Sequence, residues 1–369
     1  MAPISCQRGQ TPLAVLAVLA VLAVLEVLAC RVMTEIPRRE LLTHALALAG
    51  VSAVTGTRAA ASLSAPLDHT PTASAPAAQA PATSAPIDTL RFFPGFTRER
   101  VRTTGAEIHV LKGGAGPPVL LLHGAPQTHI SWRLVAPELA KTHTVVVPDL
   151  RGYGDSSKPA DGENHVNYSK RAMALDQVEV MRHFGFEQFP VIGHDRGARV
   201  GHRLALDHPK RVTKLALLDI LPTYYLYTHV TLEFIQAYFH WFNYVRAAPG
   251  PEDQLKAQYD AQAAKATTDV QREYSRVYSD MANLHGMCED YRASASIDLT
   301  HDAADLPTKV ACPVLALWAT KGPMGRLYDV LAVWRERATQ VTGKAMPAGH
   351  NIQEDAPAET LAEIRAFLS

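Results

Sequence analysis

An aspartate lies between two glycines where an apolar segment meets a helical pattern. The segment FPVIGHDRGARVGHRLALDHP spans residues 189–209, with Asp195 between Gly193 and Gly197. Flanking glycines permit a tight strand-to-helix turn that exposes the central side chain as a nucleophile. A carboxylate is already ionised at pH 7, and its attack on an sp³ carbon with a leaving group forms an ordinary ester. The pattern therefore predicts displacement through an aspartyl ester, whereas a helix-capping role for Asp195 is the simpler alternative.

Hydrolysis of such an ester needs a general base and an acid that orients the base. His350 lies in the loop KAMPAGHNIQEDAP, ahead of the last helical pattern. Of the two apolar runs after the elbow helix, the first ends at Asp219 and the second ends without an acid. We therefore predict a triad of Asp195, Asp219 and His350, with the backbone N–H groups of Ala125 and Arg196 as oxyanion donors. A surface histidine and a plain turn acid are the alternatives.

Two arginines follow the aspartate within little more than one helical turn. Arg196 and Arg199 are three residues apart, so both side chains can reach one side of Asp195. Guanidinium groups bind carboxylates through paired hydrogen bonds, and a helix N-terminus adds to the attraction for anions. We predict that the pair binds an anionic substrate and offsets its repulsion from Asp195. Ordinary solvated helix arginines are the alternative.

Apolar runs alternate with helical patterns from Phe92 onward. This alternation predicts an α/β fold with a mostly parallel, doubly wound sheet covered on both faces. We predict strands at 117–124, 142–149, 189–195, 212–220 and 312–320, and helices at 167–185, 196–209, 324–338 and 356–369. Residues 222 to about 300 carry Tyr-rich helical patterns and no buried-strand run. They predict a helical cap inserted into a single domain of residues 89–369.

The first 88 residues do not have the composition of a packed domain. Arg38-Arg39, a modest apolar stretch and Ala59-Ala60-Ala61 are typical of a twin-arginine export signal, so we predict a leader at 1–61 with Met33 as the true start. Residues 62–88, rich in Ala, Pro, Ser and Thr, predict a disordered linker. We expect export to the periplasm or medium. A cytoplasmic protein, or one lipid-anchored at Cys30, is the alternative.

Charge and cysteine content exclude several classes of function. Lys and Arg number 36 and so do Asp and Glu, so no global field favours nucleic acid or a membrane surface. The apolar repeat at 13–25 is shorter than the roughly 20 residues that span a bilayer. Cys288 and Cys312 have no zinc spacing. We expect an anionic small molecule and water as partners, with no metal, cofactor, nucleic acid or stable membrane span. A homodimer is compatible with the sequence.

Several motifs of the body occur together. They are HGAPQTHISWR, PDLRGYGDSSKP, GHDRGARVGHRLALDHP, LLDILPTYY, YFHWF and CEDYRASASIDLTHD. Over about residues 90–369 they resemble the haloacetate (fluoroacetate) dehalogenases of the α/β-hydrolase superfamily. The resemblance implies an α/β-hydrolase fold with Asp195 as nucleophile, Asp219 and His350 as relay, and Arg196 and Arg199 as ligands of the substrate carboxylate. It also implies a halide site formed by His240, Trp241 and Tyr291.

The implied reaction converts a small 2-haloacid, such as fluoroacetate or chloroacetate, into the 2-hydroxy acid and halide. N–H and O–H donors aimed at the halide would stabilise its developing charge. Simple packing of the cap is the alternative role for those three residues. Between Trp241 and Tyr291 the chain is shorter than in members of that family and contains no tryptophan. Haloacetates as a class are therefore a firmer prediction than fluoroacetate itself.

Two other functions compete with this one. An epoxide hydrolase would use the same triad, with cap tyrosines such as Tyr224, Tyr225, Tyr238 and Tyr244 protonating the epoxide oxygen, but it has no use for an anion-binding arginine pair. A receptor for a small carboxylate, or another α/β-hydrolase acting on one, would use the arginines. A pure receptor would not need an ionised nucleophile beside its anion.

Overall fold

The computed structural model describes residues 87–369, and the statements below concern that part of the chain. The predicted leader and residues 62–86 of the predicted linker lie outside it. Eight strands form one sheet: β1 Phe96–Arg102, β2 Glu107–Gly113, β3 Pro118–Leu122, β4 Thr144–Pro148, β5 Phe189–His194, β6 Val212–Leu218, β7 Val314–Ala319 and β8 Val341–Met346. Their order is β1-β2-β4-β3-β5-β6-β7-β8.

Helices cover the sheet and form the cap. They are α1 Ala136–Leu139, α2 Lys170–His183, α3 Asp195–Asp207, α4 Thr223–Thr228, α5 Leu232–Ala237, α6 Phe239–Tyr244, α7 Gly250–Ala263, α8 Asp269–Tyr278, α9 Met281–Ser294, α10 Ile297–Ala304, α11 Met324–Leu327, α12 Val330–Arg337, α13 Ile352–Asp355 and α14 Pro357–Leu368. Short 3-10 helices occur at Thr89–Phe92, His129–Trp132 and Glu163–Tyr168. None of the described helices is both long and apolar enough to cross a membrane.

The sheet is parallel from β4 through β8, as the continuous apolar runs predict. β1 and β2 add two antiparallel pairings at one edge. The five predicted strands are confirmed as β3 to β7, but β1, β2 and β8 were not predicted. β1 exposes most of its side chains and β8 alternates partly exposed residues, so neither has the continuous apolar sequence of a buried strand.

Alternate residues of the strands pack into two hydrophobic layers. In β3, Leu120 and Leu122 belong to one layer, whereas Val119 and Leu121 belong to the other. The first layer also contains apolar residues of α2, α3 and the cap, and the second contains those of α1 and α14. Between β6 and β7 the described chain forms only helices, α4 to α10, from Thr223 to Ala304. The apolar residues of the cap therefore belong to the same hydrophobic layer as those of α3.

The helix predicted at 324–338 is interrupted. Its residues form α11 and α12, and Tyr328 between them is extended. The Asp329 side chain accepts a hydrogen bond from the backbone N–H of Ala332 at 2.9 Å. This N-cap begins a new helix where the hydrophobic pattern alone predicts continuity.

The turn between β5 and α3 needs both of its glycines. Asp195 has a φ of +44°, a left-handed conformation that is costly for a residue with a Cβ. A Cβ on Gly193 would lie 2.5 Å from the Cα of Ala198, and one on Gly197 would lie 2.4 Å from the carbonyl oxygen of His123. At Gly193 the backbone of α3 lies too close to β5 for any side chain, and at Gly197 the backbone at the end of β3 lies too close to α3. This close packing holds Asp195 in its strained position.

We predict that Gly197→Ala lowers the free energy of unfolding by about 3 kcal/mol or more, because backbone atoms must move to admit the methyl group. Gly201→Ala in the same helix is the control. There the new Cβ meets only the side chains of Leu215 and Val191, at 3.1 and 3.2 Å. Urea unfolding of both variants measures the difference. Equal losses would show that the elbow tolerates a side chain.

Candidate active site

Three predicted residues meet at the carboxyl ends of the parallel strands. Asp195 follows β5, Asp219 follows the neighbouring β6, and His350 lies in the loop after β8. His350 Nδ1 lies 2.6 Å from Asp219 Oδ2, a hydrogen-bond distance. His350 Nε2 points towards the nucleophile candidate and lies 3.9 Å from Asp195 Oδ2. This is the arrangement of a carboxylate, a base and an acid that orients the base.

Backbone contacts hold the triad in place. Asp219 also has a positive φ, of 53°, and its Oδ1 accepts a hydrogen bond from Ala319 N at 2.9 Å. His194 Nε2 donates to the carbonyl oxygen of His350 at 2.8 Å, which fixes the backbone of that loop. The end of β5 and the end of β7 therefore both help to orient the imidazole.

The predicted oxyanion donor Ala125 contacts the nucleophile candidate directly. Its backbone N–H donates to Asp195 Oδ2 at 3.1 Å. The other predicted donor, the N–H of Arg196, lies in the first turn of α3, where N–H groups have no acceptor within the helix. The N–H of Ala125 is therefore placed to stabilise negative charge on an oxygen of residue 195, and that of Arg196 remains a predicted donor.

Opposing effects set the ionisation of the triad. Burial favours a neutral Asp195, but contact with His350, and the nearby His194 and Arg196, hold the pKa of Asp195 well below its usual range. Burial likewise disfavours the charged form of His350, but the carboxylates of Asp195 and Asp219 raise the pKa of His350 to about 10. At pH 7 the triad therefore contains an imidazolium between two carboxylates.

The first predicted arginine is committed to a protein carboxylate. Arg196 is fully buried, and its Nε and Nη2 donate to the side chain of Asp290 at 2.9 and 2.6 Å. Only Nη1 has no hydrogen-bond partner among the described residues. Of the side-chain nitrogens of Arg196, Nη1 is therefore the one that is free to bind a substrate carboxylate.

The second predicted arginine is not committed in this way. Arg199 is 3% exposed, and Nη1 makes its hydrogen bonds within the described chain, to Leu221 O and Thr223 Oγ1 at 3.0 Å each. Its Nε has no partner, and no described carboxylate forms a salt bridge with it. Burial and the neighbouring Arg196 lower the pKa of Arg199 from its ordinary value. A buried guanidinium without a counter-ion favours binding of an anion.

The three predicted halide ligands are grouped beside the arginines. The ring of Tyr291 lies 5.9 Å from that of His240 and 6.2 Å from that of Trp241. The guanidinium of Arg196 lies over the Tyr291 ring at 4.2 Å, and that of Arg199 over the Trp241 ring at 4.6 Å. Cap and elbow therefore meet through two cation–π contacts.

Both titratable members of this group are neutral hydrogen-bond donors. Burial lowers the pKa of His240 to about 4, so its ring keeps one N–H at pH 7. Burial and the charge of Asp195 raise the pKa of Tyr291 well above its ordinary value, so it keeps its O–H. Neutral donors of this kind suit a departing anion.

A buried cluster of His109, His129 and Asp149 has residue types that bind metals. The Asp149 carboxylate, however, accepts hydrogen bonds from the backbone N–H groups of His129 and Asp155 at 2.7 and 3.0 Å. It also contacts Nδ1 of His129 at 2.9 Å and Nδ1 of His109 at 3.1 Å. These contacts occupy the lone pairs of the carboxylate, and they identify the cluster as a hydrogen-bonded core.

A second cluster contains Asp161, His285 and Glu289. Both ring nitrogens of His285 already have carboxylate partners, Asp161 at 2.8 Å and Glu252 at 3.1 Å. Arg292 forms salt bridges with Glu252 and Glu289. The cluster is an ion-pair network between the cap and the loop before α2, and its imidazole offers no free nitrogen to a metal.

Two cavities are lined by residues of the cap. The larger, of about 400 Å³, is lined by Pro126, next to the donor Ala125, by residues of α7 and α8, and by Lys265 in the loop between those helices. The smaller, of about 120 Å³, is lined by His202, Tyr224 and Tyr225 among others. Neither lining includes a residue of the triad, and His202 lies two turns along α3 from Asp195.

Sequence reasoning missed two residues of the site. Asp290 was overlooked although it directly precedes Tyr291, because no sequence pattern shows that its side chain is buried against Arg196. Gln127 was also missed. Its Nε2 donates to Asn351 and Glu354, so it joins the loop of Ala125 to the loop of His350. Gln127 could be suspected only from its position two residues after that oxyanion donor.

Comparison with known proteins gives a consistent result. The sequence pattern of the alpha/beta hydrolase fold matches residues 117–357. A fluoroacetate dehalogenase of Burkholderia sp. is 43% identical over 75% of this chain and 95% of its own length. A soluble epoxide hydrolase of Corynebacterium sp. is 32% identical over 71% of this chain and 93% of its own. The crystal structure of an alpha/beta hydrolase from Nostoc sp PCC 7120 superposes with a TM-score of 0.73 at 52% identity, covering 75% and 99% of the two chains.

We predict that Asp195→Asn lowers the pKa of His350 by at least ~1 unit, because it removes one of the two carboxylates that stabilise the imidazolium. NMR titration of the histidine ring in the wild type and the variant measures the shift. His285, in the separate ion-pair network, is the internal control and should titrate identically in both. An unchanged His350 would show that Asp219 alone sets its charge.

Proposed function

The chain belongs to the α/β-hydrolase family, as a member of its haloacetate dehalogenase group, and we propose that it hydrolyses the carbon–halide bond of a small 2-haloacid. The substrates that we expect are chloroacetate and fluoroacetate. The products are the 2-hydroxy acid and halide. The similarity to the Burkholderia fluoroacetate dehalogenase supports this substrate class.

In the first step an Asp195 oxygen attacks the carbon that bears the halogen. A carbon–oxygen bond forms, and the carbon–halogen bond breaks with its electron pair leaving on the halide. Arg199 holds the substrate carboxylate and compensates its repulsion from Asp195. His240, Trp241 and Tyr291 donate hydrogen bonds to the departing halide. These bonds strengthen as negative charge develops on the halide, so they stabilise the transition state more than the bound substrate. The carboxylate of Asp195 becomes a neutral ester.

In the second step water attacks the ester carbon of Asp195. Because the ester carries no charge, His350 loses one of the two carboxylates that held its proton, and its pKa falls. It releases that proton to solvent, then accepts a proton from water and passes it to the departing hydroxy acid. The carboxyl proton left on Asp195 then restores the imidazolium. Ala125 and Arg196 donate their N–H groups to the tetrahedral oxyanion. The water oxygen stays on Asp195, and one proton is released with each halide.

Arg199 is the observation that carries the proposal. It is a buried guanidinium, one turn along α3 from an ionised nucleophile, with no described carboxylate as partner. A buried cation of this kind is costly unless the ligand supplies the counter-charge. In the proposed complex the substrate carboxylate binds Arg199, and its adjacent carbon faces Asp195.

We predict halide release from chloroacetate or fluoroacetate by the wild type and none by Asp195→Ala. Arg199→Met should raise KM for chloroacetate at least ~10-fold and affect kcat less, since it removes an ionic contact made in the ground state. Chloroacetamide, which is neutral and of similar shape, is the matched substrate. Its kcat/KM should be nearly the same in the wild type and Arg199→Met. Equal losses for the two substrates would contradict a carboxylate role for Arg199.

Epoxide hydrolysis is the second candidate, and one observation favours it. The hydroxyl of Tyr238 is buried without a hydrogen-bond partner among the described residues, and burial, together with the charges of Asp219 and Asp195, raises the pKa of Tyr238. It could donate to an epoxide oxygen near the nucleophile. A neutral epoxide, however, would leave the charge of Arg199 uncompensated.

We therefore predict no diol from styrene oxide under conditions that release halide from chloroacetate. Gas chromatography of the reaction mixture measures the diol. Diol formation that is lost in both Asp195→Ala and Tyr238→Phe would replace the dehalogenase proposal by the epoxide hydrolase.

A further inference from the structure

The side chain of Gln127 joins the turn of the oxyanion donor to the elbow. It is 3% exposed. Its Oε1 accepts a hydrogen bond from the backbone N–H of Gly124 at 3.2 Å, and its backbone N–H donates to Gly124 O at 3.1 Å. The same Oε1 lies 2.9 Å from Nδ1 of His194. Gly124 directly precedes Ala125, and His194 directly precedes Asp195. Gln127 therefore fixes the turn that brings the N–H of Ala125 to the carboxylate of Asp195.

The other end of the same amide is bound to the loop of the base. Gln127 Nε2 donates to Asn351 Oδ1 at 3.3 Å and to Glu354 Oε2 at 2.8 Å. Asn351 directly follows His350, and Glu354 is held in turn by a salt bridge with Arg133. One buried side chain thus contacts a chain neighbour of the oxyanion donor, of the nucleophile and of the base.

The partners of Gln127 require a group that accepts at one end and donates at the other. A backbone N–H such as that of Gly124 can only donate, so the atom that faces it must be an acceptor. The Nε2 group of Gln353 is a further donor to Oε1, at 3.3 Å. An ionised carboxylate such as that of Glu354 can only accept, so the atom that faces it must be a donor. Because an unpaired buried amide is costly, these contacts fix the orientation of the Gln127 side chain.

We propose that Gln127 is a positioning residue for hydrolysis of the aspartyl ester, and this inference rests on the proposed dehalogenation. Ala125 and His350 act together in that step, the first on the tetrahedral oxyanion and the second on the attacking water. Formation of the ester depends instead on the elbow, which the close packing at Gly193 and Gly197 holds. Loss of the amide should therefore slow hydrolysis of the ester more than its formation. A general structural defect would slow both steps.

Gln127→Met removes both ends of the amide with little change in volume, and Gln177→Met is the matched control. Gln177 is a buried glutamine of α2, and neither polar atom of its side chain has a hydrogen-bond partner among the described residues. We expect Gln127→Met to lower kcat for chloroacetate at least ~10-fold, with the single-turnover rate of halide release within about threefold of the wild type. Mass spectrometry of the intact protein should find the ester during turnover. Gln177→Met should keep both rates within about threefold of the wild type.

A second variant keeps the test decisive if the first does not fold. Gln127→Glu has the same shape and keeps an acceptor for the N–H of Gly124, but it loses the donor and places a carboxylate against Glu354. It should also combine fast halide release with slow hydrolysis of the ester. For either variant, a kcat equal to that of Gln177→Met, or a loss of single-turnover halide release as large as the loss of kcat, would overturn the role of Gln127. Absence of halide release from the wild type would instead reject the proposed function.

Discussion

The carboxylate of Asp195 must stay ionised in a site that is almost closed to water. The residue is 5% exposed, and burial alone would favour its neutral form. Its charge is stabilised by His350, by the N–H of Ala125 and by the nearby Arg196. Each of these contacts also has to leave an oxygen free to attack. The arrangement of the surrounding cations follows from this double requirement.

The cations satisfy the requirement because each has a different partner. His350 is bound to Asp219, Arg196 is bound to Asp290, and Arg199 has no carboxylate partner among the described residues. The first can lose its proton once residue 195 is esterified. The second is neutralised by its own carboxylate, and in the proposed reaction the third binds the anionic substrate. The three cations therefore have different roles because they have different counter-ions, and not because they are different residue types.

Much of the site could be predicted from the sequence because it depends on local rules. The glycines around Asp195 specify the elbow, and the order of parallel strands places Asp219 beside it and His350 within reach. The commitment of Arg196 to Asp290 was not predictable, because it joins residues 94 positions apart through packing of the cap. The edge strands β1 and β8 were missed for another reason. Their pairing comes from neighbouring strands and not from a hydrophobic pattern of their own.

The most direct test of the account is a single turnover in water labelled with heavy oxygen, with enzyme in excess over chloroacetate. An aspartyl ester predicts that the first hydroxy acid formed carries an unlabelled oxygen from the enzyme, and that mass spectrometry of the peptide containing Asp195 finds the label there. Label in the hydroxy acid from the first turnover, with an unlabelled Asp195, would mean that water attacks the substrate directly. That result would contradict the role assigned to the elbow aspartate and to every cation around it.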